Sequence, residues 1–286
     1  AGTTMMTDIH TAQFSKEIFQ AIGIENKFPE VISPGSIIGK VHRKAAEESG
    51  IPMHTPVISS GHDTQFAIFG SGAKENEVVL SSGTWEILMA RTTKIQTNTD
   101  FLTQGVTIEL DAISGWYNPG IQWLGSGILE RIKESLYTAE LDDNNLYKIM
   151  ISEAEKYADS QLELPLDFMN TQVSFRGLGA NIKRGEIYRA ALEALAKKTK
   201  ESLQILEKAG GFKADSLLVV GGGSRNGLWN QLRANHLKIP IKTIGIKETT
   251  VLGAALFAFY GLGYYQSPQE ARANIEDQMK IVEPNK

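Results

Sequence analysis

One carboxylate raises the question of chemistry in this chain, in the stretch ISSGHDTQFAIFG at residues 58–70. Asp63 follows an apolar, strand-like run and precedes a second apolar run. An aspartate at the start of a helix commonly caps it by accepting a hydrogen bond from a backbone amide. The same carboxylate can also serve as a general base that takes a proton from a nearby hydroxyl. Spacing alone favours the cap, and it favours a turn residue for the neighbouring His62.

A triple-glycine corner in VVGGGSRNGLWNQ is the first of three candidate ligand-binding turns. Gly221, Gly222 and Gly223 follow a buried, strand-like run and precede a predicted helix. Glycine permits φ > 0 and a close approach to a ligand, and the first amides of a helix attract an anion. A packing turn explains the same glycines equally well. The spacing matches neither the G-x-G-x-x-G nor the G-x-x-x-x-G-K-[ST] nucleotide motif.

Two further corners carry polar groups. In LSSGTWEIL, the hydroxyls and amides of residues 81–84 lie at a predicted turn between two strands, where they could surround phosphate oxygens. An ordinary hairpin turn is the simpler interpretation of that segment. In NPGIQWLGSG, a Pro-Gly turn is predicted to precede a helix, with Gln122 near its N-terminal end facing either a ligand or solvent.

Composition narrows the class of protein. The chain has 286 residues, of which 42% are hydrophobic and 22% charged, as in soluble globular proteins of one or two domains. A net charge of -4, without a basic run, argues against a nucleic-acid partner. The absence of cysteine excludes disulfides and thiolate metal sites, and it fits a reducing compartment such as the cytoplasm. The longest apolar stretch is shorter than the ~20 residues of a membrane-spanning helix, so we predict no membrane partner.

The elements that would position these groups alternate between predicted strands and helices. A βαβ unit with parallel strands is predicted for DSLLVVGGGSRNGLWNQLRANHLKIPIKTI, and two strands joined at the Ser-Ser-Gly-Thr corner for EVVLSSGTWEILMAR. A short strand at 37–42 and a buried strand in TPVIS are also predicted. Helices are predicted at residues 7–22, 121–136, 144–158 and 185–209. Shorter helices are predicted to end at Gly50, to follow Asp63, and to lie in ETTVLGAALFAFYG and SPQEARANIEDQM. The helix in ETTVLGAALFAFYG is expected to pack closely on its neighbour through Gly253.

The joint order of the motifs resembles the FGGY family of carbohydrate kinases. The segments that carry the resemblance are GHDTQFAIFGSG, LSSGTWEILM, NPGIQWL, RGEIYRAALEALA, VVGGGSRNGLWNQLRANHLKIPI and ETTVLGAALFAFYGLG. They span nearly the whole chain. The resemblance implies an α/β, actin-like ATPase (ribonuclease-H-like) fold with two domains, sugar deep in the cleft between them and ATP above it.

The resemblance also implies that the chain contains parts of two domains and is a fragment of a longer protein. Residues 1–72 correspond to the C-terminal remnant of the first, sugar-binding domain, and residues 73–286 to the complete second, nucleotide-binding domain. The first domain's own phosphate loop is expected to lie outside this sequence. We therefore expect the chain by itself to show little or no kinase activity.

Individual residues acquire expected roles from the same resemblance. Asp63 falls on the family's catalytic base, which orients the sugar hydroxyl and accepts its proton, and Thr64 lies near the sugar. The positions expected to bind ATP are Ser82, Gly83 and Thr84 of the second phosphate loop, Gly222, Gly223 and Asn226 of the adenosine motif, and Gln122. Mg²⁺ is expected to bridge the ATP phosphates, largely through water, and no metal site is drawn from these residues.

The implied reaction is ATP-dependent phosphorylation of a ketose. The motifs are most similar to those of members that convert L-fuculose to L-fuculose 1-phosphate, while SSGTW also resembles members that act on L-rhamnulose. The predicted partners are thus ATP and a sugar, and homo-oligomerisation stays open. A non-catalytic sugar or nucleotide sensor on the same fold is a second hypothesis. A Rossmann-type oxidoreductase is disfavoured because the glycine spacing is wrong.

Overall fold

The chain folds into a mixed α/β structure around one large sheet. The computed structural model describes residues 4–166, 174, 176, 179 and 181–285. The strands in these residues are β1 (Thr7–Asp8), β2 (Gln13–Phe14), β3 (Ile37–Lys40), β4 (Pro56–Ile58), β5 (Val78–Ser82), β6 (Trp85–Ala90), β7 (Thr107–Leu110), β8 (Tyr117–Leu124), β9 (Leu217–Val220), β10 (Ile241–Ile244) and β11 (Met279–Val282).

Helices alternate with the strands along the chain. Those in the described residues are α1 (Lys16–Ile22), α2 (Arg43–Ser49), α3 (Asp63–Gly70), α4 (Thr99–Thr103), α5 (Ser126–Leu136), α6 (Leu146–Glu155), α7 (Arg184–Gly210), α8 (Gly227–Leu237), α9 (Thr249–Gly261) and α10 (Pro268–Ala273), with short 3₁₀ helices at Thr138–Glu140 and Gly222–Arg225. Among the described residues, none of the helices combines the length and apolar character needed to cross a membrane.

The central sheet has seven strands in the order β11-β10-β9-β5-β6-β8-β7. Strand β9 is parallel to both β10 and β5, and the other neighbours are antiparallel. The parallel pair β9 and β10, joined through α8, confirms the predicted βαβ unit. Ser81 of β5 lies opposite Val220 of β9, so these two strands end side by side at one edge of the sheet.

The two faces of the sheet are covered by different helices. On one face, Val78 and Leu80 join a core that includes Leu195 and Leu206 of the long helix α7. On the other face, Val79 packs with residues that include Ile68 of α3. This alternation is the two-residue period expected of a strand buried on both sides. The long helix runs as predicted, and Gly211 ends it in the left-handed conformation with φ 64°.

Helices α3 and α9 meet through a pair of glycines. A Cβ atom on Gly70 would lie 2.0 Å from the carbonyl oxygen of Thr249, and one on Gly253 would lie 2.1 Å from that of Phe66. Only glycine therefore allows the two backbones to approach this closely. Phe66 also packs its ring against Phe257 at 4.9 Å between centroids. The contact confirms the predicted close approach at Gly253 and joins residues 63–70 to the body of the fold.

Residues 4–62 differ from the prediction in two elements. The predicted helix at 7–22 begins at Lys16, because the Asp8 carboxylate accepts bonds from the amides of His10 and Thr11 and turns the chain into the β1–β2 hairpin. The predicted strand in TPVIS exists as β4, but Val57 is 38% exposed. The prediction of a buried strand is wrong because β4 pairs only with β3 in the described residues.

Two other predicted boundaries are also wrong. The predicted helix at 121–136 begins at Ser126, because Pro119 and Gly120 lie inside β8, where the absent side chain of Gly120 leaves room for Met89. The last predicted helix ends at Ala273, and residues 279–282 form the edge strand β11 beside β10. An edge strand with one neighbour shows a weak alternation in sequence, so the pattern of KIVEP did not reveal it.

Candidate active site at the edge of the central sheet

The two strongest glycine corners lie next to each other where β5 and β9 end. A Cβ atom on Gly221 would lie 2.8 Å from the carbonyl oxygen of Ser82, and one on Gly223 would lie 2.0 Å from the Ser82 hydroxyl. Gly221 also has φ 82°, in the region that favours glycine. Packing on Ser82 thus accounts for these two glycines. Gly222 is exposed, and a Cβ atom on it would meet no other atom within 4 Å, so its open backbone faces outward from the corner.

The third corner also lies beside the Ser-Ser-Gly-Thr turn, but its contacts come from Gly125 and Ser126 and not from the predicted Gln122. The backbone amide of Gly125 donates to the carbonyl of Thr84 at 2.9 Å, and that of Ser126 donates to the carbonyl of Gly83 at 3.1 Å. The N-terminus of α5 therefore abuts the Ser-Ser-Gly-Thr turn, where Thr84 is exposed and Gly83 is half-buried. We did not predict this contact from the sequence, although the Gly-Ser-Gly after the strand was its signal.

Gln122 lies elsewhere on the sheet. It is an exposed residue of strand β8 and pairs with Ile87, which in turn pairs with Ser81. The prediction that Gln122 stands near the start of a helix is wrong, because β8 continues to Leu124. The Gln122 side chain borders a cavity of about 760 Å³. It is thus separated from Ser81 by one intervening strand.

A buried ion pair supports the corner from below. Arg233 of α8 donates from Nη2 to Glu86 Oε2 at 2.8 Å and to the Ser82 hydroxyl oxygen at 2.9 Å, while Ser82 donates to Glu86 Oε1. Ser82, Glu86 and Arg233 are all 0% exposed. The Arg233 guanidinium also stacks on the Trp229 ring, 3.7 Å from its centroid. The Ser82 hydroxyl is thus used internally, and Ser82 supports the turn from beneath.

Burial dominates the electrostatics of this pair. Loss of water raises the pKa of Glu86 and lowers the pKa of Arg233, and their mutual attraction offsets part of that cost. The two residues are 147 positions apart, so sequence reasoning missed their contact. The one available signal was a glutamate at an inward-facing position of an otherwise apolar strand.

Asn226 has a structural role of its own. It is the N-cap of α8, where its Oδ1 accepts from the amide of Trp229 at 3.1 Å. Its Nδ2 donates to the hydroxyl of Tyr188 at 3.2 Å, and burial raises the pKa of that tyrosine. Asn226 thereby fixes the end of the glycine turn to both α8 and α7, while remaining partly exposed.

Asp63 stands at the first position of α3, one residue after the N-cap. His62 is the cap residue, so the interpretation of Asp63 as the cap is wrong by one position. The Asp63 carboxylate accepts from the Thr64 amide at 2.7 Å and lies 3.4 Å from Nε2 of His62. The Asp63 side chain is 76% exposed. It is therefore available to an incoming hydroxyl group.

The carboxylate and the sheet edge share one cavity. This cavity, of about 170 Å³, brings Asp63 and Thr64 of α3 together with Ser81 at the end of β5 and Val220 at the end of β9. Thr250 near the start of α9 closes another side. Asp63 and the ends of β5 and β9 thus line the same cavity.

The described residues provide no set of protein ligands for a metal ion. Within residues 4–166, 174, 176, 179 and 181–285, no group of three or more histidine, aspartate or glutamate side chains could hold one. The residues present do not fit a Mg²⁺ site formed by protein alone.

Family models match both parts of the chain. The C-terminal domain of the FGGY family of carbohydrate kinases matches residues 78–262, and the N-terminal domain of that family matches residues 1–70. L-fuculokinase from Escherichia coli K12 is 48% identical over 288 residues, which cover 99% of this chain and 60% of that protein. L-fuculokinase from Haemophilus influenzae is 42% identical, with 100% of this chain and 62% of that protein covered. The chain thus spans about three fifths of these relatives.

Solved structures agree on the fold. Gluconate kinase from Lactobacillus acidophilus superposes with a TM-score of 0.84 at 19% identity, covering 98% of this chain and 58% of that one. Xylulose kinase from Rhodospirillum rubrum gives a TM-score of 0.81 at 18% identity, with the same coverage of both chains. The predicted actin-like α/β fold is confirmed by these similarities. The family models, which match more than half of the sequence, and the relatives at 42% and 48% identity show that this chain belongs to the FGGY family of carbohydrate kinases.

Proposed function

We propose that the chain is part of an ATP-dependent kinase that converts L-fuculose to L-fuculose 1-phosphate. Family membership supports a sugar kinase, and the relatives at 42% and 48% identity support L-fuculose as the acceptor. The observation that carries the proposal is the shared cavity, in which Asp63 faces the strand ends beneath the glycine corners.

The proposed role of Asp63 follows from the chemistry of phosphoryl transfer. A sugar hydroxyl is a weak nucleophile until a base can take its proton, and the loose transition state depends mainly on positioning and charge neutralisation. Asp63 is exposed at its carboxylate and anchored by the Thr64 amide, so it can orient a hydroxyl without moving its own backbone. Thr64, in the same cavity, would contact the sugar.

The nucleotide would lie over the glycine corners. We assign the phosphates to the turn of Ser82, Gly83 and Thr84, in which Ser82 is buried and Thr84 is exposed. We assign the adenosine to Gly222, Gly223 and Asn226. The open face of Gly222 and the tight packing of Gly223 on Ser82 support a rigid turn that a nucleotide can approach. Gln122 stays a proposed contact at the far side of the nucleotide, from strand β8.

The proposed domain division falls between residues 72 and 73. The ranges of the two family models lie on either side of this point. The two parts contact each other where Gly70 packs against Thr249 of α9. Mg²⁺ would bind the ATP phosphates and water, since the described residues form no ligand set for it.

A substitution at Asp63 tests the proposed reaction. In the whole protein, Asp63→Asn should lower kcat by two to four orders of magnitude, the range that one general base supplies, while ATP affinity stays unchanged. A coupled assay of ADP release with L-fuculose measures the rate, and calorimetry measures ATP binding. Asp142→Asn, at an exposed loop carboxylate, is the matched control and should retain full activity. Near-normal turnover of Asp63→Asn would refute the base.

The choice of sugar needs a separate measurement. The same assay with L-rhamnulose, L-fuculose and D-xylulose should give the highest kcat/KM for L-fuculose. A higher kcat/KM for L-rhamnulose would support a sugar kinase whose substrate is L-rhamnulose and not L-fuculose. Nucleotide binding without ADP release on any of these ketoses would instead favour a non-catalytic sensor.

A further inference from the structure

Two histidines cap helices in this chain, and they use their rings differently. His42 caps α2 in the usual way, because its Nδ1 accepts a hydrogen bond from the amide of Ala45 at 3.2 Å. His62 caps α3 without any side-chain bond to the helix backbone. Its Nδ1 lies 2.9 Å from the side-chain Oε1 of Gln65 instead.

The partner of Gln65 decides which nitrogen of His62 carries a proton. Gln65 Nε2 donates to Glu109 Oε2 of β7 at 2.8 Å. A carboxylate only accepts hydrogen bonds, so the amide nitrogen must face Glu109 and the amide oxygen must face His62. That oxygen also only accepts, and His62 Nδ1 must therefore donate to it. Gln65 is 3% exposed, which holds this orientation in place.

The remaining nitrogen of His62 points at the proposed base. With Nδ1 protonated, the neutral ring carries its lone pair on Nε2, which lies 3.4 Å from Oδ1 of Asp63. Both atoms are acceptors while Asp63 is ionised, so a hydrogen bond joins them only once Asp63 holds a proton. Such catalytic contacts commonly shorten when the substrate is bound. The His62 side chain is 42% exposed, so its ring also reaches solvent.

We propose that His62 receives from Asp63 the proton that Asp63 takes from the sugar, with Gln65 and Glu109 as positioning residues. This inference rests on the proposed kinase function. The hydroxyl O–H bond breaks as its oxygen forms the new bond to the γ-phosphorus of ATP, and the bond from that phosphorus to the ADP oxygen breaks with its electron pair left on ADP. The hydroxyl proton passes to Asp63 Oδ1, then to His62 Nε2, and from the ring to water.

The surroundings of His62 stabilise the charge that this transfer creates. The imidazolium formed on His62 would face the regenerated carboxylate of Asp63 through Nε2–H and the Gln65 oxygen through Nδ1–H. The Glu109 carboxylate, at the far end of the amide, polarises that oxygen toward the ring. Each turnover would then return Asp63 to its ionised form, with the partly exposed His62 ring passing the proton to water.

Substitution of His62 separates proton transfer from hydrogen bonding. In the whole protein, His62→Asn keeps an N–H near the Nδ1 position for Gln65 and removes the Nε2 acceptor. We expect its kcat to fall about tenfold with KM for the sugar within twofold of the original value. Added imidazole should restore the rate of His62→Ala, a result that a merely structural role would not produce. His42→Asn is the matched control, with unchanged kcat.

The tautomer can be measured without any turnover. In the whole protein labelled with ¹⁵N-histidine, the imidazole nitrogen shifts should identify His62 as the Nδ1–H tautomer and His42 as the Nε2–H tautomer. An Nε2–H tautomer at His62 would overturn the inference. So would wild-type kcat in His62→Asn while Asp63→Asn is inactive, a result that leaves the proposed function intact. Near-normal turnover of Asp63→Asn would instead refute Asp63 as the base, and the absence of ADP release by the original protein would refute the proposed function.

Discussion

The two corners of the candidate site are built in opposite ways. Beneath the glycine turn, Ser82, Glu86 and Arg233 are fully buried and bonded to one another. At the acid corner, Asp63 is 76% exposed and its carboxylate is anchored by the adjacent Thr64. The glycine corner is therefore determined by packing before any ligand arrives, whereas the position of Asp63 depends on the start of α3.

This difference predicts separate consequences of substitution. Changes beneath the glycine turn should reduce the free energy of unfolding first and nucleotide binding as a result. Changes at Asp63 should alter catalysis and leave the free energy of unfolding within about 0.5 kcal/mol, as for other exposed side chains.

Removal of one partner of the buried ion pair should have the largest effect. Arg233→Met leaves Glu86 charged and buried without its partner, which costs roughly 3–5 kcal/mol. Urea unfolding of the variant and of the original protein measures this difference. Arg43→Met is the matched control, since Arg43 pairs with Glu47 on the surface and should contribute about 0–1 kcal/mol. Equal losses in the two variants would contradict the proposed support beneath the corner.

A methyl group at two adjacent glycines should give a smaller and selective effect. Gly223→Ala places a Cβ atom 2.0 Å from the Ser82 hydroxyl and should destabilise the fold by roughly 1–3 kcal/mol, with weaker ATP binding. Gly222→Ala meets no atom within 4 Å and should leave the fold unchanged. Thermal unfolding and ATP titration of both variants give the comparison. A stable, tightly binding Gly223→Ala would show that the corner can move.

Substitution of the cap residue should have the smallest effect on stability. Asn226→Ala removes the Oδ1 acceptor for Trp229 and should cost about 1 kcal/mol, together with a loss of ATP affinity in the whole protein. Asn226→Ser keeps a cap oxygen and lacks the amide, so it should recover the stability that the cap supplies but neither the bond to Tyr188 nor the affinity. Recovery of both by serine would show that the Asn226 amide does not contact the nucleotide.

Several elements could be predicted from the sequence because their signals are local. The long helix α7 has an apolar face that repeats over many turns, and Gly211 marks its end. The parallel pair β9 and β10 followed from two apolar runs joined by a helix. The start of α1 and the extent of β8 could not be predicted this way. In both places, residues whose hydrophobic pattern also suits a helix pair with a neighbouring strand instead.

The same limit applies to the site. The sequence alone predicted which segments would carry the chemistry, since Asp63, the Ser-Ser-Gly-Thr turn and the triple glycine are recognisable by residue type and order. Only the tertiary structure decided that Glu86 and Arg233 meet beneath the turn and that Gln65 bridges His62 to Glu109. Contacts between residues this far apart depend on which strands become neighbours, and that is decided by the burial of the whole sheet rather than by any local pattern.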